Sequence, residues 1–405
     1  MAKPDSEAEL RTSRRRVLRL AAVFLSSTAL AACTSGTFDR LGIENPGAPG
    51  PAPGEAPGAS AIGTGQVRVG LILPLSAPGN AGIAAQSMRN AAELAITEFK
   101  NPDIQLLVKD DTGTPQGAQQ AAQQALNEGA RILIGPIFAQ SVSAVGPVAR
   151  QRGVPIIAFS TDTNVAARGV FLLSFLPESD VHRIVDFSVS RGKRSFAALI
   201  PDNAYGTVVE AAFQQAVARR GARVAALERY PADAGRRQEA IRRVAQAARR
   251  VDAIFIPDNA EAVPQIVQGL SAAGANLRRV QLIGTGLWDE PALFANPAMD
   301  GGWFAAPGAD GFRNFSQRYR ARYGQEPVRT SSLAYDAVAL IAALVKTQGA
   351  QSLNDQSLTN TSGFAGIDGV FRFRADGTNE RGLAVMEIKP TGSVVISQPP
   401  RGFGS

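Results

Sequence analysis

From Val67 onward, short apolar runs alternate with segments of helical period, joined by connections of about two to six residues. Val67 to Leu75 is almost continuously apolar and carries Pro74 near its end, the pattern of a strand buried on both faces. Gly82 to Phe99 then places Ala84, Met88, Ala91, Ala95 and Phe99 on one helical stripe. Strand-like runs follow at 104–109, 131–135 and 154–159, with helical segments at 116–128 and 142–152. After Pro177 the rhythm repeats: strands at 195–200, 224–228, 253–256 and 280–283, helices at 205–220, 237–249 and 262–273. Gly221 and Gly274 fall where a helix end turns left-handed. Such repeated βαβ units predict α/β lobes, each built on a mostly parallel, doubly wound sheet. Helical segments at 312–323 and 331–345 precede a β-rich tail, in which 369–377 alternates and runs into an Asp-Gly turn.

The first 65 residues read differently. Arg14, Arg15, Arg16 and Arg19 precede the apolar stretch from Leu20 to Ala32, which is too short to span a bilayer. This predicts a signal peptide over 1–32. Leu30-Ala31-Ala32-Cys33 resembles a lipobox, and Ser13 to Arg19 resembles a twin-arginine export signal with Val17 where Phe is preferred. Cys33 is the sole cysteine; if it carries lipid, no thiol is left for a disulfide, a nucleophile or a metal. Residues 33–65 are expected to be the lipidated cysteine and a linker, because prolines alternate with Gly and Ala from Pro46 to Pro57 without apolar periodicity. The expected setting is the periplasm, with a membrane partner through the lipid. Thr34 after the cysteine, rather than an aspartate, favours the outer membrane. The leader carries six cationic residues against Asp5, Glu7 and Glu9, so its removal lowers the formal +7 to about +4. That mild excess does not imply nucleic acid.

Five segments carry a more specific likeness: Val69-Gly-Leu-Ile-Leu-Pro-Leu-Ser76, Ile134-Gly-Pro-Ile-Phe138, Gly153-Val-Pro-Ile-Ile157, Asp202-Asn-Ala-Tyr-Gly206 and Ala334-Tyr-Asp-Ala-Val338. In this order the chain resembles the leucine/isoleucine/valine-binding family of type I periplasmic binding proteins over roughly 66–398. The resemblance implies two lobes joined by a three-strand hinge, with the ligand cleft between them. It divides the chain into 66–177 plus 308–350 for the first lobe and 178–307 plus 351–399 for the second. It also implies ligand contacts from Ser76, Ser141, Ser160, Thr161, Asp162, Asp202, Tyr205 and Asp289. The family's ammonium-binding acid follows the strand ending near Ile283 as Gly-x-acid. This chain has Gly284-Thr285-Gly286, so Asp289 or Asp162 must substitute if the ligand is an amino acid.

The residues offer little to an enzyme. His182 is the lone histidine and reads as a solvated first-turn residue of a helix starting at Pro177. Asp110-Asp111 read as polar strand-end residues, since neighbours on an extended chain point to opposite sides. No phosphate-binding glycine loop and no metal-ligand cluster occurs, so no catalytic residue, cofactor or metal is expected. Ten arginines between Arg219 and Arg250 read as solvated helix faces. No aromatics interleave with them, against a nucleic-acid groove. The resemblance leaves two non-enzymatic readings. One is a lipoprotein of the penicillin-binding-protein activator kind, partnered with a peptidoglycan synthase. The other is the substrate-binding component of a branched-chain-amino-acid-type ABC transporter, partnered with its permease and an amino-acid-like ligand. The lipobox, the spacer and the missing acid favour the first.

Overall fold

The computed structural model describes residues 61–403 apart from Ala232. The leader, Cys33 and the linker as far as residue 60 lie outside the described residues. The first sheet contains β1 (Ala61–Ile62), β2 (Val67–Leu73), β3 (Ile104–Asp110), β4 (Ile132–Ile134), β5 (Ile156–Ala158) and β6 (Val170–Leu172) in the order β1-β3-β2-β4-β5-β6. All pairs are parallel except β1 on β3. Between the strands run α1 (Asn80–Glu98), α2 (Pro115–Asn127) and α3 (Ala139–Gln151).

Alternation along each strand decides which helices cover which face. On β2, Val69, Leu71 and Leu73 share a core with Met88 and Ala92 of α1, while Ile72 joins Ala122 of α2 and Val145 of α3. Residues buried on both faces explain the continuous apolar run in the sequence.

The second lobe begins with α4 (Pro177–Ser190), whose first turn carries Glu178 and Asp180. Then follow β7 (Ser195–Pro201), α5 (Ala204–Arg219), β8 (Arg223–Tyr230), α6 (Ala234–Ala247), β9 (Ala253–Phe255), α7 (Ala262–Ala272), β10 (Gln281–Gly284), α8 (Pro291–Phe294) and β11 (Trp303–Ala306). On β7, Phe196, Ala198 and Ile200 face α4 and α5, and Ala197 and Leu199 face α6 and α7. Gly221 and Gly274 have φ of 64° and 86°, the left-handed conformation expected after α5 and α7.

The chain then returns to the first lobe. α9 (Ala309–Tyr323) and α10 (Ser331–Gln348) pack on α1, where Phe315 and Tyr319 meet Ala91 and Leu94. Next come α11 (Asp355–Leu358) and a three-stranded antiparallel sheet of β12 (Phe364–Gly366), β13 (Gly369–Phe373) and β14 (Asn379–Arg381). Finally β15 (Ala384–Lys389) and β16 (Gly392–Ser397) add antiparallel to β11, completing the second sheet in the order β16-β15-β11-β10-β9-β7-β8.

Two expectations are corrected here. Residues 61–65 are not linker: Ala61 and Ile62 pair with Leu107 and Leu106, and Gly65 N–H donates to the Ile104 carbonyl. Residues 351–381 belong with the first lobe rather than the second, because Leu353, Leu358, Phe371 and Phe373 enter the first-lobe core beside Leu340 and Val108. The chain crosses back to the second sheet between β14 and β15, some thirty residues later than the division at 350. The hydrophobic side chains decide the matter.

Candidate functional site

The loops after the second-lobe strands, with the first turns of the helices that follow, gather polar groups at one end of that sheet, as parallel βα connections do. After β7, Asn203 caps α5 by accepting from Gly206 N–H (2.9 Å), which sets Tyr205 in the first helical turn. The Tyr205 hydroxyl hydrogen-bonds Thr285 Oγ1 at 2.9 Å, just beyond β10. At the end of β8, the Tyr230 hydroxyl donates to Asp258 Oδ2, and Asp258 Oδ1 accepts from Asn259 N–H at 2.7 Å. In the first turn of α4, Asp180 Oδ2 accepts from Gly286 N–H at 2.9 Å.

The sequence Gly284-Thr285-Gly286 now has a steric account. A Cβ on residue 284 would lie 2.2 Å from the Trp288 ring, which is fully buried and donates through Nε1 to the Ile256 carbonyl. A Cβ on residue 286 would lie 3.1 Å from Asp180 Oδ2. One glycine admits an indole and the other admits a carboxylate.

The electrostatics follow first from burial and then from the crowding of acids. Burial pushes the Asp180 carboxyl up to about 7; the Gly286 hydrogen bond opposes this, neighbouring Glu178 adds to it, and the Arg381 guanidinium opposes it. Burial also raises Tyr205, against the Thr285 hydrogen bond and with the charges of Asp180, Asp258 and Glu178. Glu178 itself is raised by burial, although the Thr163 hydroxyl within hydrogen-bonding reach lowers it. Thr163 belongs to the first-lobe loop after β5, so the two lobes meet there.

The structure places the residues predicted from sequence unevenly. Ser76 is exposed, with its N–H directed to Asp110 Oδ1 at 3.3 Å. Ser160 is buried and its Oγ accepts from Asp162 N–H (3.1 Å), which leaves its own proton to donate. Thr161 is half-buried, and exposed Asp162 caps the short turn at Thr163–Val165 through Asn164 N–H. Asp202 is exposed and sits 3.7 Å from Arg229. Tyr205 joins the cluster just described. Ser141 does not present itself: it is fully buried in α3 and its Oγ has no partner. Asp289 is exposed and lines a different cavity, of about 400 Å³, with Phe312, Arg313, Arg320, Glu326 and Arg329.

His182 is not a solvated first-turn residue. It lies one turn further along α4, half-buried, with Nε2 enclosed and unpartnered, and burial lowers its pKa. Asp110 and Asp111 are turn-forming rather than paired. Asp110 accepts from Thr112 N–H at 2.9 Å, whereas fully buried Asp111 accepts from Gly113 N–H at 2.8 Å. The arginines behave as solvated faces: Arg229 pairs with Glu210, Arg220 with Asp186, and Arg243 with Glu228 and Glu239.

Sequence reasoning missed Asp180, Tyr230, Asp258 and Thr285. The available signal was the pair of glycines flanking Thr285 at a strand end, which marks close approach without saying what approaches.

A family model described as periplasmic binding protein matches residues 66–393. The chain belongs to that family. Its members of leucine-binding type are ligand-binding proteins, and the two-lobed α/β architecture matches their solved structures. One such structure is a putative branched-chain amino acid ABC transporter protein from Rhodospirillum rubrum, 20% identical, with 82% of this chain and 99% of that one covered at a TM-score of 0.72. An ABC transporter substrate-binding protein from Desulfitobacterium hafniense, solved in complex with Leu, is 19% identical, with 82% and 99% covered at 0.59. A solute-binding protein of an ABC transporter from R. palustris, solved in complex with benzoate, is 21% identical, with 84% and 98% covered at 0.56. At these identities the likeness is one of fold. No curated protein matches the chain in sequence. None of the described helices is long and apolar enough to cross a membrane.

Proposed function

We propose that this protein is the substrate-binding component of an ABC-type transporter, holding a small solute between its lobes and delivering it to a membrane permease. The observation that carries this reading is the polar cluster of Tyr205, Asp258 and Thr285 at the second-lobe strand ends with Asp180 of α4, two residues from Glu178, which Thr163 of the first-lobe loop reaches. The solved relatives, transport proteins that span nearly their whole length on this chain, support it over the activator reading. The role is binding, not catalysis. Ser76, Ser160, Thr161 and Tyr205 are the proposed contacts, with Asp162 and Asp202 at the rim. Tethering through Cys33 in the periplasm belongs to the same proposal.

The activator reading keeps one motive, the lipobox followed by a proline-rich spacer, which suits a distant envelope partner. A melting-temperature screen over amino acids and small carboxylates tests the transport reading. A ligand at 100 times its Kd should stabilise the protein by about 2.7 kcal/mol, a readily visible shift. A flat response across the whole panel would leave the cleft without a ligand and return the choice to the activator.

A further inference from the structure

We propose that the segment 398–403, which follows β16, is a strap that ties the second lobe to the first and fixes the angle at which the lobes rest. The segment leaves from the second lobe, where Ile396 of β16 packs on the core formed by α4, α5 and β7. Arg183 of α4 holds its root: Nη2 donates to Ser397 Oγ at 2.7 Å and to the Gln398 carbonyl at 3.1 Å. Through Nε the same guanidinium donates to the Leu383 carbonyl at 2.8 Å, which fixes the root to the crossing from β14 to β15.

The first lobe holds the other end. The Phe403 ring lies against Gly363, where a Cβ would come within 2.7 Å of it, and under the Arg372 guanidinium, 4.6 Å from the ring centroid. Arg372 of β13 is itself fixed. Its Nε and Nη2 donate to Glu380 Oε2 of β14 at 3.0 and 2.8 Å, and Nη1 donates to the Thr361 carbonyl at 3.2 Å. A positioned cation beside a space left by a glycine makes a socket for one aromatic ring. Phe371 and Phe373 carry β13 into the first-lobe core, so the socket moves with that lobe.

Between its ends the segment passes over Gly382, in the crossing from β14 to β15, where a Cβ would lie 2.9 Å from Pro400 Cγ. Pro399 and Pro400 each fix φ, so this stretch is stiff and loses little freedom when both ends are bound. Slack remains at the bends of Arg401 and Gly402.

Beneath the strap the lobes are not packed together. A cavity of about 640 Å³ is lined by His182 of α4 and Gln215 of α5 on one side, Arg374 and Thr378 of the β13–β14 hairpin on the other, and Phe403 of the strap. Surfaces separated by such a gap can shift without breaking close contacts, so a ring seated across it weighs heavily in the lobe angle. Rotation of one lobe about the crossings carries the socket away from the root, and Phe403 must leave the socket or resist. Seated, it holds the resting angle; released, it leaves the three crossings alone to set it. The inference does not depend on which solute the cleft takes.

The test reads the distance between the lobes. In a Cys33→Ala background, which removes the sole cysteine, Gln120→Cys on α2 and Gln265→Cys on α7 put spin labels at exposed positions of the two lobes. Pulsed electron paramagnetic resonance should give one narrow distance distribution for the native strap. Phe403→Ala should shift its centre by about 2 Å or more, and Phe403→Tyr, which keeps the ring, should restore it. Replacing Pro399 and Pro400 together by glycine loosens the strap without touching the socket, should shift the distribution the same way, and decides the matter even if Phe403→Ala fails to fold. Trypsin cleavage after Arg401, which is exposed, should speed up about fivefold when the ring is lost, the weight of one ring–guanidinium contact. Superimposable distance distributions for the native strap and its variants overturn the inference, since the crossings alone would then set the angle. Cleavage after Arg401 as fast with the native strap as in Phe403→Ala overturns it as well, because the ring would then not be seated.

Discussion

At the scale of the residue, Asp336 shows how a short sequence motif can mark a structural need that only the fold makes legible. It sits in Ala334-Tyr-Asp-Ala-Val338 near the start of α10, 3% exposed, and its Oδ1 accepts from Ile367 N–H at 2.8 Å. The other oxygen has no partner. Sequence alone gave the position but not the role, since the N–H it satisfies lies 31 residues away. Burial pushes its carboxyl up to about 7, against the nearby Arg381 charge, and fully buried Asp111 is raised to about 6. For an acid raised in the folded state, both states are protonated below about pH 3.8. Between that point and about 7 the unfolded chain ionises while the folded one does not. Stability should therefore fall as pH rises through that window and level off above it. Melting temperatures measured from pH 4.5 to 8 should show the decline, and Asp336→Asn, which retains an acceptor for Ile367, should make it shallower while Asp180 and Asp111 keep their shares. A protein equally stable across that range would show that Asp336 ionises freely in the folded state. His182 is the opposite lesson: its helical position was legible, its enclosure was not, because the β13–β14 hairpin that faces it lies almost 200 residues downstream.

At the scale of the element, long segments with clear periodicity were readable, and short ones only unevenly: β4, β5 and β9, three residues each, fall inside their expected ranges. α1, α2, α5 and α7 begin and end within a few residues of their expected limits, because each carries an apolar stripe. β6 and β11 were missed. They span Val170–Leu172 and Trp303–Ala306, and pairing with β5 and β10 defines them. The start of α5 was readable from Asp202-Asn-Ala-Tyr-Gly206, and its physical content can be tested. Asn203 is the cap, and Gly206 is required because a Cβ there would lie 1.7 Å from the Pro201 carbonyl oxygen. Asn203→Ala should cost about 1 kcal/mol, as lost caps do. Gly206→Ala should cost more, about 1–3 kcal/mol as an overpacked site, and should also displace Tyr205. Denaturant titration would measure both, and a Gly206→Ala protein as stable as wild type would mean that the loop relaxes freely.

At the scale of the whole molecule, the two-lobed plan was legible from two successive α/β sets, but the path between lobes was only partly so. The third crossing falls between Arg381 and Ala384 because the apolar side chains of 353–373 are buried by the first-lobe core, a preference no local pattern reveals. The same is true at the other end. Ala61 and Ile62 pair with β3, so sheet pairing reaches into the stretch that composition assigned to the linker, and a tether through Cys33 would lead into the edge of the first sheet. A tether at that edge shares no strand with the second lobe, and its loss should not disturb the cleft. If Cys33 is the lipidated residue, Cys33→Ala should move the protein from the membrane fraction to the soluble periplasmic fraction. Its melting temperature and ligand affinity should stay unchanged, because the substitution alters no residue of the described sheets. Wild-type protein recovered as soluble after export would remove the anchor. A Cys33→Ala protein that is released but binds its solute differently would instead show that the segment before Ala61 reaches the cleft.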